Sequence, residues 1–156
     1  MRMLITLLLL MTGAALGLAE GGERVAPVTD PTVAKECGSC HMAFPPQFLP
    51  QRSWRKLVDT LAEHFGENAS LGEAERKAVL AYLLANAADG PRAGREGRKL
   101  AQGIPASQTP LRITETPQWA KEHREVRADR WRDPTVKSKA NCVACHKGAD
   151  RGLYGD

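Results

Sequence analysis

The chain has 156 residues, 42% of them hydrophobic and 5% aromatic, and a formal net charge of +4 from 22 Lys and Arg against 18 Asp and Glu. That length builds one ordinary domain or two small ones. The charge excess is small and no basic run is interleaved with aromatic residues, which gives no ground for nucleic-acid binding.

Residues 1–19 read as a secretory signal peptide, with Arg2 as the positive start, Met3 to Met11 as the apolar core and Gly17-Leu18-Ala19 as small residues for cleavage. The apolar run is short for a membrane span, and an uncleaved anchor is the alternative. Either way the chain is exported, and the expected location is the periplasm. Removing 19 residues from 156 leaves 137, and loss of Arg2 leaves a net charge of about +3.

An irregular stretch, 20–29, precedes Asp30-Pro31-Thr32-Val33, where Asp suits a helix N-cap and Pro the first helical position. Glu36-Cys37-Gly38-Ser39-Cys40-His41 follows. Two thiols three positions apart with His directly after the second form the attachment signature of a c-type haem. One helical turn lets both thioethers reach one porphyrin edge, and the His lies under the iron. Pro45 and Pro46 force an extended loop. Residues 51–65 then read as an amphipathic helix, with Trp54, Leu57, Val58, Leu61, His64 and Phe65 on one stripe and Gly66 at its C-cap. Ser70-Leu71-Gly72-Glu73 has the capping-box pattern and opens a helix to about Ala87, with Val79, Leu80, Tyr82, Leu83 and Leu84 buried. This order of elements resembles the class I cytochrome c fold, without that fold's usual Met ligand.

Residues 91–110 read as a linker broken by Gly and Pro, with a short helix near 97–102. Its Arg92, Arg95, Arg98 and Lys99 read as a solvated basic loop, with propionates or a partner as the alternative. Thr116-Pro117 starts the next helix, and Trp119, His123 and Val126 share one side of it. Trp131, Val136 and Ala140 should pack the second unit. Asp133-Pro134-Thr135-Val136 repeats the first tetrapeptide and suggests a similar helix start. Cys142-Val143-Ala144-Cys145-His146 is a second haem-attachment motif, and a Gly-rich tail with Tyr154 ends the chain. The expected organisation is a mainly α fold: signal peptide 1–19, class I-like haem unit 20–90, linker 91–110, and a helical or irregular haem unit 111–156.

The two motifs use all four Cys. A zinc site or two redox disulfides are the alternatives, but zinc ribbons place their pairs closer together, redox motifs favour a βαβ context, and neither explains His after both pairs. Two covalently bound haem c groups are therefore expected, on Cys37 and Cys40 and on Cys142 and Cys145. Four His are present, and His41 and His146 are proximal ligands by motif. His64 and His123 remain for the two open iron positions. Met is the other soft candidate; Met1, Met3 and Met11 lie in the leader, and Met42 is too close to His41 to reach across that haem. Elimination points to bis-His ligation of both irons, and His64 follows His41 by the 23 positions that also separate His123 from His146. Local pairing, His41 with His64 and His123 with His146, closes the shorter loops.

Cys37 to His41 with Pro45-Pro46, His64-Phe65-Gly66-Glu67-Asn68-Ala69-Ser70-Leu71, Arg112-Ile113-Thr114-Glu115-Thr116, His123 and Asn141 to His146 together resemble the small dihaem cytochrome c family of bacteria. The resemblance implies a periplasmic bis-His carrier. It also implies redox protein partners, an oxygen-binding monohaem cytochrome and a membrane b-type cytochrome. Two saturated irons leave no site for a small-molecule substrate, so electron transfer rather than catalysis is expected, at potentials below those of His/Met haems. A dihaem peroxidase-like enzyme, or a haem-based redox or gas sensor with a displaceable distal His, is the alternative.

Overall fold

The computed structural model describes residues 24–155, and the expected leader, 1–19, lies outside them. Among the described residues there are six α-helices: α1 (Pro31–Gly38), α2 (Gln51–Asp59), α3 (Glu73–Asn86), α4 (Arg95–Leu100), α5 (Pro117–Glu122) and α6 (Ala128–Trp131). Short 3-10 turns join them. Among the described residues no β-strand forms, only isolated bridges, and no helix is long and apolar enough to cross a membrane. The expectation of a mainly α fold holds.

The core is made by α1, α2 and α3. Val33, Leu49, Trp54, Leu57, Val58, Val79, Leu83 and Ala87 are its buried residues. α1 starts where the sequence places it: Pro31 is the first helical residue and Asp30 Oδ1 accepts a hydrogen bond from Val33 N–H at 3.0 Å. α2 begins after Pro50, which supplies no side-chain cap. The Asp89 carboxylate does so from the far end of α3, accepting from Gln51 N–H at 2.7 Å and meeting the positive end of the helix. The buried Trp54 indole donates to the Pro46 carbonyl at 2.7 Å, which fixes the Pro45-Pro46 loop to α2.

Three element boundaries differ from the sequence reading. The helix expected to run from 51 to 65 stops at Asp59. Thr60 donates its hydroxyl to the Lys56 carbonyl at 2.8 Å and its N–H to both Lys56 and Leu57, so the last turn closes on itself. A 3-10 turn, Leu61–Glu63, follows, and His64 lies beyond it rather than on a helix face. Ser70 does not cap α3, which starts at Glu73 after Gly72; Ser70 N–H is instead taken by the Asn68 side chain at 3.0 Å. The second Asp-Pro-Thr-Val forms a turn and no helix. Asp133 Oδ1 accepts from both the N–H and the hydroxyl of Thr135, Asn141 takes the Val136 carbonyl, and Lys137 sits at φ 61°, where a helix cannot continue.

Stretch 91–110 lies against the first three helices. Gly97 in α4 is buried, and a Cβ there would lie 3.4 Å from the Gln47 side chain and 3.6 Å from the Ala88 backbone. Arg52 of α2 donates to the carbonyls of Gln108 at 2.6 Å and Pro105 at 3.0 Å. Leu111 and Ile113 pack on the core. Beyond Leu111 the buried apolar residues are Val136 and Ala149. The tail returns to the start of the described chain: Val25 N–H donates to the Gly152 carbonyl at 2.9 Å, and Tyr154 meets Phe48 edge-on at 5.2 Å.

Candidate haem-binding site

Both Cys-rich motifs sit in tight turns. Cys37 is in the last turn of α1, half-buried, and Cys40 lies exposed just past the helix. Cys142 and Cys145 repeat the alternation on the 3-10 turn Cys142–Ala144. His146 N–H donates back to the Cys142 carbonyl at 2.8 Å, closing one helical turn across the motif. All four thiols are free, and among the described residues no group of three or more His, Cys, Asp or Glu could hold a metal ion, so the zinc and disulfide readings gain no support. Burial, with Glu36 adding to it, pushes the Cys37 thiol up from its ordinary pKa. Burial does the same at Cys142, against its backbone hydrogen bond and with Cys145 adding.

The imidazoles come together in two pairs. The ring centroids of His41 and His64 are 6.2 Å apart, and those of His123 and His146 are 6.1 Å apart. A metal–imidazole bond of about 2 Å on each side, plus about 1.1 Å from nitrogen to ring centre, spans about 6.2 Å. Each gap thus has the width for one iron between two imidazole nitrogens.

Hydrogen bonds set which nitrogen is free. His41 Nδ1 lies 2.8 Å from the Met42 carbonyl and His123 Nδ1 lies 2.9 Å from the Trp119 carbonyl. A carbonyl only accepts, so Nδ1 holds the proton in each and Nε2 keeps its lone pair for a metal. Nδ1 of His146 is buried with no hydrogen-bond partner in the protein. Burial, then the His41 imidazole, then the Arg112 guanidinium hold His64 below its ordinary pKa, a shift toward the neutral form that a metal requires.

Turns and a helix end, rather than helix faces, present His64 and His123. His64 opens a two-residue turn in which it exchanges backbone hydrogen bonds with Glu67, at 2.8 and 3.1 Å. The central residues, Phe65 at φ 56° and Gly66 at φ 101°, give the left-handed pair of a type I′ turn. His123 is the C-cap of α5, whose start is fixed by the Thr116 hydroxyl accepting from Trp119 N–H. Several neighbours of these rings were not anticipated. Phe44 stacks on His41 at 4.9 Å, and Arg112 lies 4.0 Å over the Phe65 ring. Phe44, three residues after His41, is near enough in sequence to have been found; Arg112 lies in the Arg112 to Thr116 stretch of the family resemblance, but nothing in that stretch says that it meets Phe65.

A cavity of about 520 Å³ runs beside Cys40, His41 and Met42 and reaches Val143 and Asp150 of the second motif. A second cavity, of about 360 Å³, is lined by Trp119, His123, Trp131, Cys142, His146 and Tyr154. The residues present therefore fit two haem c groups.

A sequence model of the dihaem cytochrome c family matches residues 33–154. Among solved structures, the diheme cytochrome c from Rhodobacter sphaeroides is 46% identical, with a TM-score of 0.75 over 83% of this chain and 99% of that one. A second structure from the same organism is 44% identical, with a TM-score of 0.68, covering 81% and 98%. The diheme cytochrome type c from Shewanella baltica is 31% identical, with a TM-score of 0.64, covering 79% and 85%. No curated protein matches the chain.

Proposed function

Because the chain belongs to the dihaem cytochrome c family, which carries two covalently bound haem c groups and transfers electrons through them, we propose that it is a carrier whose two irons are each closed by two imidazoles. Cys37 and Cys40 hold one haem, with His41 and His64 as axial ligands. Cys142 and Cys145 hold the other, with His123 and His146. The observation that carries this reading is the pair of ring separations, 6.2 and 6.1 Å. Each haem supplies a one-electron couple, and the protein sets it through ligands and burial.

With no open coordination position, the chain binds no substrate at iron and is not an enzyme. It works in the periplasm and exchanges electrons with other redox proteins, an oxygen-binding monohaem cytochrome and a membrane b-type cytochrome being the partners that the family resemblance implies. The test is an optical spectrum of the holoprotein with and without carbon monoxide. Low-spin, six-coordinate bands unchanged by the gas are expected. His64→Ala should then open one of the two irons to carbon monoxide. Rapid complex formation by the unaltered protein would instead identify an enzyme or a sensor.

A further inference from the structure

The two imidazole pairs share a spacing but not an angle. His41 and His64 lie 24° from parallel, whereas His123 and His146 are crossed at 89°. The reason is in the surroundings of His123. Trp119 stacks on it at 4.3 Å and 16°, and the Trp119 carbonyl also takes its Nδ1 proton at 2.9 Å. Turning the His123 ring about its Cβ–Cγ bond would break both contacts at once. Trp119 is itself braced: Trp131 lies 5.6 Å away, and the Lys139 ammonium sits 5.8 Å from one indole and 5.7 Å from the other. His146 is held more loosely, with Tyr154 5.7 Å away at 58°. In the first pair Phe44 lies at 25° to His41, and nothing forces a crossed arrangement.

We infer that Trp119 is a positioning residue that holds His123 crossed against His146, so that the protein's two irons are electronically unlike although their four ligands are chemically the same. The inference rests on the bis-His reading above. Each ring of an axial pair contains the iron–nitrogen axis, so the angle between rings is the angle at which two imidazole π systems meet the iron d orbitals. Nearly parallel rings donate into the same dπ orbital and separate it in energy from the other. Crossed rings donate one into each and leave the two nearly equal. In the ferric low-spin state, near-equality leaves orbital angular momentum unquenched and the g tensor strongly anisotropic. Ring orientation set by a neighbouring side chain and carbonyl is the outer-shell control expected at a metal site.

The test is low-temperature electron paramagnetic resonance of the oxidised holoprotein. Two low-spin signals of equal intensity are expected: a rhombic three-line spectrum and a single broad line at low field. Trp119→Ala should remove or shift the low-field line and leave the rhombic one untouched, whereas Trp119→Phe, which keeps a stacking ring, should retain it. Two rhombic signals from the unaltered protein would overturn the crossed geometry without harm to the ligand assignment. A low-field line unmoved by Trp119→Ala would overturn the role of Trp119. A high-spin signal, or an optical band of methionine–iron ligation, would overturn the bis-His reading itself. The spectrum of the unaltered protein and the Trp119→Phe variant decide the matter even where the alanine variant fails to mature.

Discussion

Tyr154 donates its hydroxyl proton to the Ala149 carbonyl at 3.1 Å while its ring covers His146 at 5.7 Å. Burial first, with the Asp150 carboxylate adding to it, raises its pKa well above the ordinary 10.0; Cys142, an uncharged thioether once haem is attached, adds nothing in the holoprotein. The native protein thus keeps a proton that the unfolded chain releases, and stability falls as pH rises past 10. Alkaline titration, followed by the absorbance of the second haem, should show a transition there that Tyr154→Phe weakens or removes; an unchanged transition would assign it to another group. At this scale the chemistry-bearing residues were legible, because both Cys motifs spell out a local geometry and the remaining His and Met could be counted. The residues that orient them were not. Arg112 comes over the Phe65 ring beside His64 only after the chain has folded back, and Trp131, expected simply to pack the second unit, gave no sign that it would meet His123.

The turn that presents His64 is built by Phe65 and Gly66, both left-handed, and a Cβ at Gly66 would meet nothing within 4 Å. Gly66→Ala therefore tests backbone conformation alone. It should lower stability by about 1 kcal/mol and, by loosening His64, admit carbon monoxide to a fraction of the first haem. A variant with unaltered melting and no gas binding would show the turn to be dispensable. Helix starts with a Pro at the first position, as in α1 and α5, were readable from the sequence because the signal lies in adjacent residues. Helix ends were less so. The apolar stripe of 51–65 continues past Asp59, but a hydrophobic period says which way side chains face and not whether the backbone remains helical. Thr60 and the Phe65-Gly66 turn decided that. The repeated Asp-Pro-Thr-Val failed for a related reason: its first copy is followed by residues that continue a helix, its second by Lys137 in a left-handed conformation.

Ten of the twelve buried hydrophobic residues among those described lie before residue 90, and only Val136 and Ala149 lie after it. The C-terminal third therefore has almost no apolar core of its own, and the second haem must serve as one, since so short a segment buries too little surface to fold alone. Replacing both Cys142 and Cys145 with Ala should strip hydrogen-exchange protection from 111–155 while α1, α2 and α3 keep theirs. Protection retained throughout would show that contacts with α2 and α4 suffice. Mainly helical character was legible at this scale from the spacing of apolar residues, but the packing of 91–110 was not, because Gly97 and the carbonyls of Pro105 and Gln108 look like loop until Gln47 and Arg52 meet them. The hydrogen bond from Val25 to Gly152 joins positions 127 apart in sequence. Closing that loop in an otherwise unfolded chain costs about 1.5 kcal/mol more than closing one of about 23 residues such as either His pair spans. Folding should accordingly proceed outward from the two attachment turns, with the bond between Val25 and Gly152 made last, as a latch that closes only on a chain already carrying its haems.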